Sequence, residues 1–164
     1  MIDSTDREIL NIIQKDARIS NAEIARKVDL APSAILERVR KLEERGIIRG
    51  FATELSAKDL DFGLTALIAI RTSECGEGVG NLLAEIPEVQ EVHEVAGEDC
   101  FFIKVRTRDT DSLGSLLRER LKAIPNVVNT KTTVVLKTFK ETSALPLELM
   151  TDGGDGLKRR AKGK

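Results

Sequence analysis

At 164 residues the chain has room for one domain or two small ones, and its 41% hydrophobic, 32% charged composition describes a folded protein facing water. No apolar run approaches the ~18 residues of a membrane span, and the start, MIDSTDREIL, is acidic where a secretory leader is basic, so the chain is expected to stay in the cytoplasm. The net charge of −1 conceals a division: residues 1–50 carry ten basic and nine acidic side chains, residues 51–156 eleven and eighteen, and residues 157–164 five basic ones, so a polyanion would meet the ends.

In chain order, Thr5 stands three residues before Glu8, a capping-box spacing, and Ile9, Leu10, Ile12 and Ile13 follow as the apolar stripe of a first helix. Ser20 and Glu23 repeat the device ahead of Ile24, Ala25 and Val28, a second helix of about two turns that needs packing partners on both sides to exist. Pro32 suits the first position of a third helix, where its missing N–H costs nothing, and Gly46 suits its end. At 100° per residue Ile35, Val39 and Leu42 share one face. Ser33, Glu37, Arg40 and Glu44 lie opposite, with Arg38 and Lys41 on the flanks.

Three helices with a short turn between the last two predict a helix-turn-helix, in which the third presents its outer face to the DNA major groove. Asp29 stands where such turns usually carry glycine, and aspartate tolerates a left-handed backbone better than most residues. The expected contacts are Ser33 for positioning, Arg38, Arg40 and Lys41 for phosphates or guanines, and Glu37 for a cytosine amino group. A packing module with a solvated charged face remains the plainer alternative for this segment taken alone. The run from Ile47 to Leu55 is expected to be strand-like.

The next ninety residues predict the order β-α-β-β-α-β. Strands are expected at 62–72, 89–95, 100–107 and 127–140, and helices at 78–86 and 111–124, each stopped by a proline. The segments AEIPEVQEV and KAIPNVVNT are a weak internal repeat that divides this stretch into two similar halves, as in the ferredoxin-like split βαβ arrangement. The first strand is apolar on both faces, so a sheet face left open by the helices is expected to pair with a second copy of the chain. An RNA platform with this sheet order stacks bases on aromatics. Here Trp and Tyr are absent, and the neighbours Phe101 and Phe102 point to opposite faces, which argues against RNA readout.

Cys75 and Cys100 lack CxxC spacing and, with His93 the single histidine, exclude an ordinary zinc site; both are expected as buried reduced thiols. His93 lies in a strand with no nucleophile or paired carboxylate around it, so no catalysis, metal or cofactor is expected. Glu98 and Asp99 offer carboxylates for an ammonium, Gly97 permits close approach, and Thr130 and Thr132 alternate onto one face of the last strand with their hydroxyls. A plain turn and a half-exposed strand is the alternative reading of the same residues. The ending TDGGDGLKRRAKGK has no apolar pattern and is expected to be mobile. Its Lys158, Arg159, Arg160, Lys162 and Lys164 either add attraction to DNA or are merely solvated.

From about Ile2 to Leu147 the chain resembles the Lrp/AsnC, or feast/famine, family of transcription regulators. Asp6, Ile9-Leu10, Asp16, Arg18, Ala25, Leu30, Pro32, Arg38-Val39, Leu42-Glu43, Gly46, Ile48 and Gly50 all fall in the family's pattern. The resemblance implies an α+β chain: a winged, three-helix DNA-binding domain over residues 1–50, a strand-like linker at 51–62, a ferredoxin-like effector-binding and oligomerisation domain at 63–141, and an extension at 142–164. It implies double-stranded DNA as partner, a small-molecule effector, commonly an amino acid, and a homodimer that assembles into larger rings such as octamers. The effector site it implies is the turn Gly97, Glu98, Asp99, Cys100; family members often carry aspartate where this chain has Cys100. The competing reading is an effector-sensing protein whose helical head docks a protein in place of DNA.

Overall fold

The computed structural model describes residues 2–150 except Cys75, and within them the chain forms two compact units, residues 2–54 with 141–150, and residues 55–140. The expected mobile basic ending lies outside the described residues.

The first unit holds α1 (Ser4–Ile13), α2 (Asn21–Val28) and α3 (Pro32–Glu44) around a core of Ile9, Ile13, Ile24, Ala25, Ile35, Leu42 and Ile48. The cap of α1 is not the expected Thr5 with Glu8: Asp3 accepts from the Asp6 N–H at 2.7 Å, and the Asp6 carboxylate returns to the Asp3 N–H. A carboxylate at position 3 caps the helix and still reaches Arg38, which a threonine hydroxyl at position 5 cannot do as an ion pair. Ser20 and Glu23 form the expected capping box of α2. Its end turns through Asp29 at φ 54°, ψ 51°, the left-handed backbone that lets the Leu30 N–H bond the Ala25 carbonyl at 3.0 Å.

Pro32 opens α3 as expected, and Gly46 at φ 67° closes it. The Ile47 N–H reaches the Leu42 carbonyl at 2.9 Å and the Gly46 N–H the Glu43 carbonyl at 2.8 Å, the two bonds of a Schellman ending. The strand-like run expected next has no pairing in this chain, residues 49–56 being neither helix nor strand. After Glu141 the chain lies along α1. The Gln14 side-chain amide donates to the Leu145 carbonyl and accepts from the Leu145 N–H, each at 3.0 Å, and Arg7 donates to the Met150 carbonyl at 2.7 Å.

The second unit is a four-stranded antiparallel sheet in the order β2-β3-β1-β4, from β1 (Leu64–Thr72), β2 (Val89–Glu94), β3 (Phe101–Thr107) and β4 (Val127–Val134). α4 (Glu77–Ala84) and α5 (Thr110–Ser115, wound on in π fashion through Leu116–Leu121) cover one face, completing the ferredoxin-like order. Alternation sends Ala66, Ile68, Ile70, Phe101, Ile103 and Val105 under the helices, against Val79, Leu83, Leu113, Leu116 and Leu121. α4 lies so close that a Cβ at Gly80 would stand 3.3 Å from the Phe101 ring. β4 stops at Val134 and not at Lys140: after one further bond from the Val135 N–H to the Thr65 carbonyl at 2.9 Å, β1 has reached its start at Leu64, and a strand persists only while its neighbour supplies hydrogen bonds. On the other face Leu67 and Phe102 are each 46% exposed, so within one chain that side is open.

Asp29 holds the turn between α2 and α3 in a conformation that costs a branched residue more than it costs aspartate or glycine. Asp29→Val is expected to lower stability by about 1–2 kcal/mol and Asp29→Gly to leave it equal or slightly higher, measured as the urea midpoint at constant m.

Candidate functional site

The outer surface of α3 follows from its inner one. Ile35 and Leu42 are fully buried seven residues apart, which turns Ser33, Glu37, Arg40, Lys41 and Glu44 to solvent. The Arg40 guanidinium meets Glu37 through two nitrogens, Nη2 at 3.0 Å and Nε at 3.2 Å, and Glu44 through the third. Lys41 Nζ stands 3.2 Å from the same Glu37 carboxylate. Arg40 and then Lys41 hold the Glu37 carboxyl below the ordinary range, and Glu37 in turn raises Arg40. These are exposed pairs with little hold on stability, and a phosphate or a guanine edge can replace the carboxylates.

Arg38 stands on the flank of α3 as expected, and there it finds partners within the chain. Its Nη1 lies 2.8 Å from Asp3 Oδ2 and 2.6 Å from Asp6 Oδ1, and Asp6 is only 7% exposed. Arg38 therefore ties α3 to the start of α1, and of the expected cations Arg40 and Lys41 are the ones that stay on the outward face. The Asp3 carboxyl is held below its ordinary range chiefly by the Asp6 N–H bonded to it and next by Arg38.

The expected small-molecule residues divide between two sides of the sheet. Glu98 Oε2 and Asp99 Oδ1 lie 3.1 Å and 3.7 Å from Arg71, a residue absent from the expected set, whose signal is its place as the first charge closing the apolar β1. Asp99 also lines a groove of about 300 Å³ on the open face, with Leu67, Phe102, His93, Lys131 and Thr133. Nothing stands within 4 Å of a Cβ built on Gly97, so the turn has open space beside it. Thr130 and Thr132, in contrast, pair with Ile70 and Ile68, and residues opposite one another in antiparallel strands share a face. Both threonines thus point to the helix side and do not join Glu98 and Asp99.

Cys100 is 5% exposed, its N–H bonds the Ile70 carbonyl at 2.9 Å, and its sulfur is disulfide-bonded, which corrects the expectation of a reduced thiol. Its contribution to the turn is therefore made by backbone. Cys75 lies outside the described residues. His93 is exposed, with Nε2 3.4 Å from Glu91. Lys104 and, to a smaller degree, His93 lower the Glu91 carboxyl. Among the described residues no three His, Cys, Asp or Glu side chains converge to hold a metal ion.

The comparisons with known proteins match both units. A winged helix-turn-helix DNA-binding model matches residues 2–49, and an Lrp/AsnC ligand-binding-domain model matches residues 65–145. The leucine-responsive regulatory proteins of Klebsiella pneumoniae and Escherichia coli K12 are each 36% identical over 151 residues, covering 90% of this chain and 92% of theirs. Among solved structures, a Neisseria meningitidis transcriptional regulator in complex with L-methionine superposes with TM-score 0.85 at 29% identity, covering 90% of this chain and 97% of that one. Escherichia coli AsnC superposes with TM-score 0.80 at 30% identity, covering 88% and 98%. A feast or famine regulatory protein from Mycobacterium tuberculosis, complexed with L-methionine, gives 0.82 at 29%, covering 88% and 99%.

Arg38→Ala leaves the buried Asp6 carboxylate unpaired and is expected to cost about 1–2 kcal/mol in urea unfolding, part of the full penalty because Arg38 itself is one-third exposed. The pH dependence has a defined sign. A carboxyl lowered in the folded chain stabilises it above the unfolded pKa of about 3.9, and that stabilisation is lost as pH falls through the lower folded value. Removing Arg38 removes one cause of the Asp3 shift, so the variant's stability should fall less steeply with acidification in that window.

Proposed function

The chain belongs to the Lrp/AsnC family of transcription regulators, and we propose that it regulates by laying α3 of two paired copies into successive major grooves while an amino acid binds beside the turn Gly97–Cys100. The observation that carries the DNA side is the division of α3 into a buried stripe and an outward one bearing Ser33, Glu37, Arg40 and Lys41, with Arg38 withdrawn to fix the helix in place. Arg40 and Lys41 supply cations for phosphate or guanine, Glu37 an acceptor for a cytosine amino group, and Ser33 a hydroxyl near the helix start.

Support for the effector side comes from Glu98 and Asp99, carboxylates beside open space and counterbalanced by Arg71. An α-amino acid carries an ammonium and a carboxylate, and this acidic pair with its arginine offers a partner for each. L-methionine is the ligand in two of the similar structures, which makes the amino-acid class the one to test first. The open sheet face, with Leu67 and Phe102 half exposed, supports pairing with a second copy, and a dimer that stacks into octamers supplies two heads for a two-fold operator. A solution mass of one chain would remove that arrangement. The function is binding without catalysis, carried out in the cytoplasm where the DNA is. Among the described residues no helix is long and apolar enough to cross a membrane.

For DNA, the probe is the promoter of the chain's own gene, titrated by mobility shift at fixed salt. Arg40→Ala is expected to weaken binding roughly ten- to a hundred-fold while leaving thermal stability close to wild type, and unchanged affinity would take Arg40 off the interface. For the effector, a thermal-shift series against the twenty amino acids should show at least one raising the melting temperature by about 5–10 °C at a hundred-fold excess over its Kd. Asp99→Asn should abolish that rise, and a rise that survives the substitution would place the ligand elsewhere.

A further inference from the structure

Ser33, Leu36, Glu37 and Arg40 stand at i, i+3, i+4 and i+7 on α3, the spacing that lines side chains along one face of a helix. It is also the spacing with which a recognition helix of this class lays several residues along the floor of the major groove. Three of the four have polar heads. Leu36 is the exception: it is 57% exposed, it is no part of the core of its unit, and its neighbour Ile35 already fills the inward position. Around it Glu37, Arg40, Lys41 and Glu44 form the ion pairs described above, so Leu36 is a single apolar side chain set within a charged stripe.

In the major groove the one apolar group a base pair offers is the C5-methyl of thymine, and aliphatic side chains are what it packs against. We propose that Leu36 recognises a thymine methyl and is a specificity-determining residue of this regulator. The inference builds on the reading of α3 as the DNA-contacting helix. Leu36 lies four residues before Arg40 on the same stripe, so its thymine should neighbour the base or phosphate that Arg40 engages.

The test selects a duplex from a random pool with the purified full chain, then replaces each thymine of that duplex in turn by deoxyuridine, which lacks only the methyl. Wild type is expected to lose about four-fold in affinity at one thymine per half-site, the contribution of one buried methyl, and Leu36→Ser to be indifferent to that replacement. Leu36→Met, which keeps an apolar side chain of similar volume and covers the case in which the serine variant does not fold, should retain part of the loss. The assignment falls if no deoxyuridine weakens wild type, if Leu36→Ser keeps the full four-fold loss, or if Leu36→Ser alters the solution mass and not the deoxyuridine response. Arg40→Ala separates the two levels: weakened binding with a failed Leu36 test overturns the methyl contact alone. No enriched duplex, or wild-type affinity in both Arg40→Ala and Leu36→Ser, overturns the DNA reading of α3 and the methyl contact together.

Discussion

Burial of Ile35 and Leu42 in the first unit fixes the rotation of α3, and the rest of the head depends on it. A helix has one angular freedom about its axis once it is packed, and two fully buried residues seven apart remove it. The outward stripe then follows without further instruction. The Arg38 link to Asp3 and Asp6 works on the remaining freedoms by tying α3 to the N-terminal cap of α1. One arginine thereby joins a capping carboxylate, a buried carboxylate and the helix that faces solvent. The charges left for a partner are those that bonds within the head do not claim for its own architecture.

The second unit applies the same rule with a period of two. Alternation along β1 and β3 sends one set of residues under α4 and α5 and the other to an open face, and the antiparallel register carries that choice across to β4. Thr130 and Thr132 are committed to the helix side by pairing with Ile70 and Ile68. Arg71, one residue past Ile70, is committed to the opposite side with Glu98 and Asp99. A small-molecule site built on that turn therefore draws on β1 and the β2–β3 connection and not on the threonines of the last strand.

Side chains of α1 also hold the backbone of the segment after Glu141. Gln14 uses both functions of its side-chain amide on Leu145, and Arg7 holds the Met150 carbonyl, so α1 carries the segment that follows the sheet unit. Hydrogen bonds of this kind satisfy main-chain groups that a short extended segment would otherwise leave to water.

Much of this was legible in the residues. Periodicity located five helices and four strands, and Ser20 with Glu23, Pro32 and Gly46 marked helix ends, because caps and left-handed endings use a few residue types for local reasons. The order of elements pointed to the family that the comparisons with known proteins then matched over both units. Other features were decided only by tertiary contacts. Asp3 with Asp6, and not Thr5 with Glu8, makes the cap of α1, and the Asp3 carboxylate also meets an arginine thirty-five residues away. Arg38 found two carboxylates of α1 that no local pattern around α3 announces. β4 ended close to where β1 begins, and the two threonines took the face that register assigned them. Local sequence determines what a segment can become, since propensity and capping act within a turn or two. Which partner each charge finds, and which face each strand residue takes, is decided by neighbours distant along the chain, and only the folded molecule brings them together.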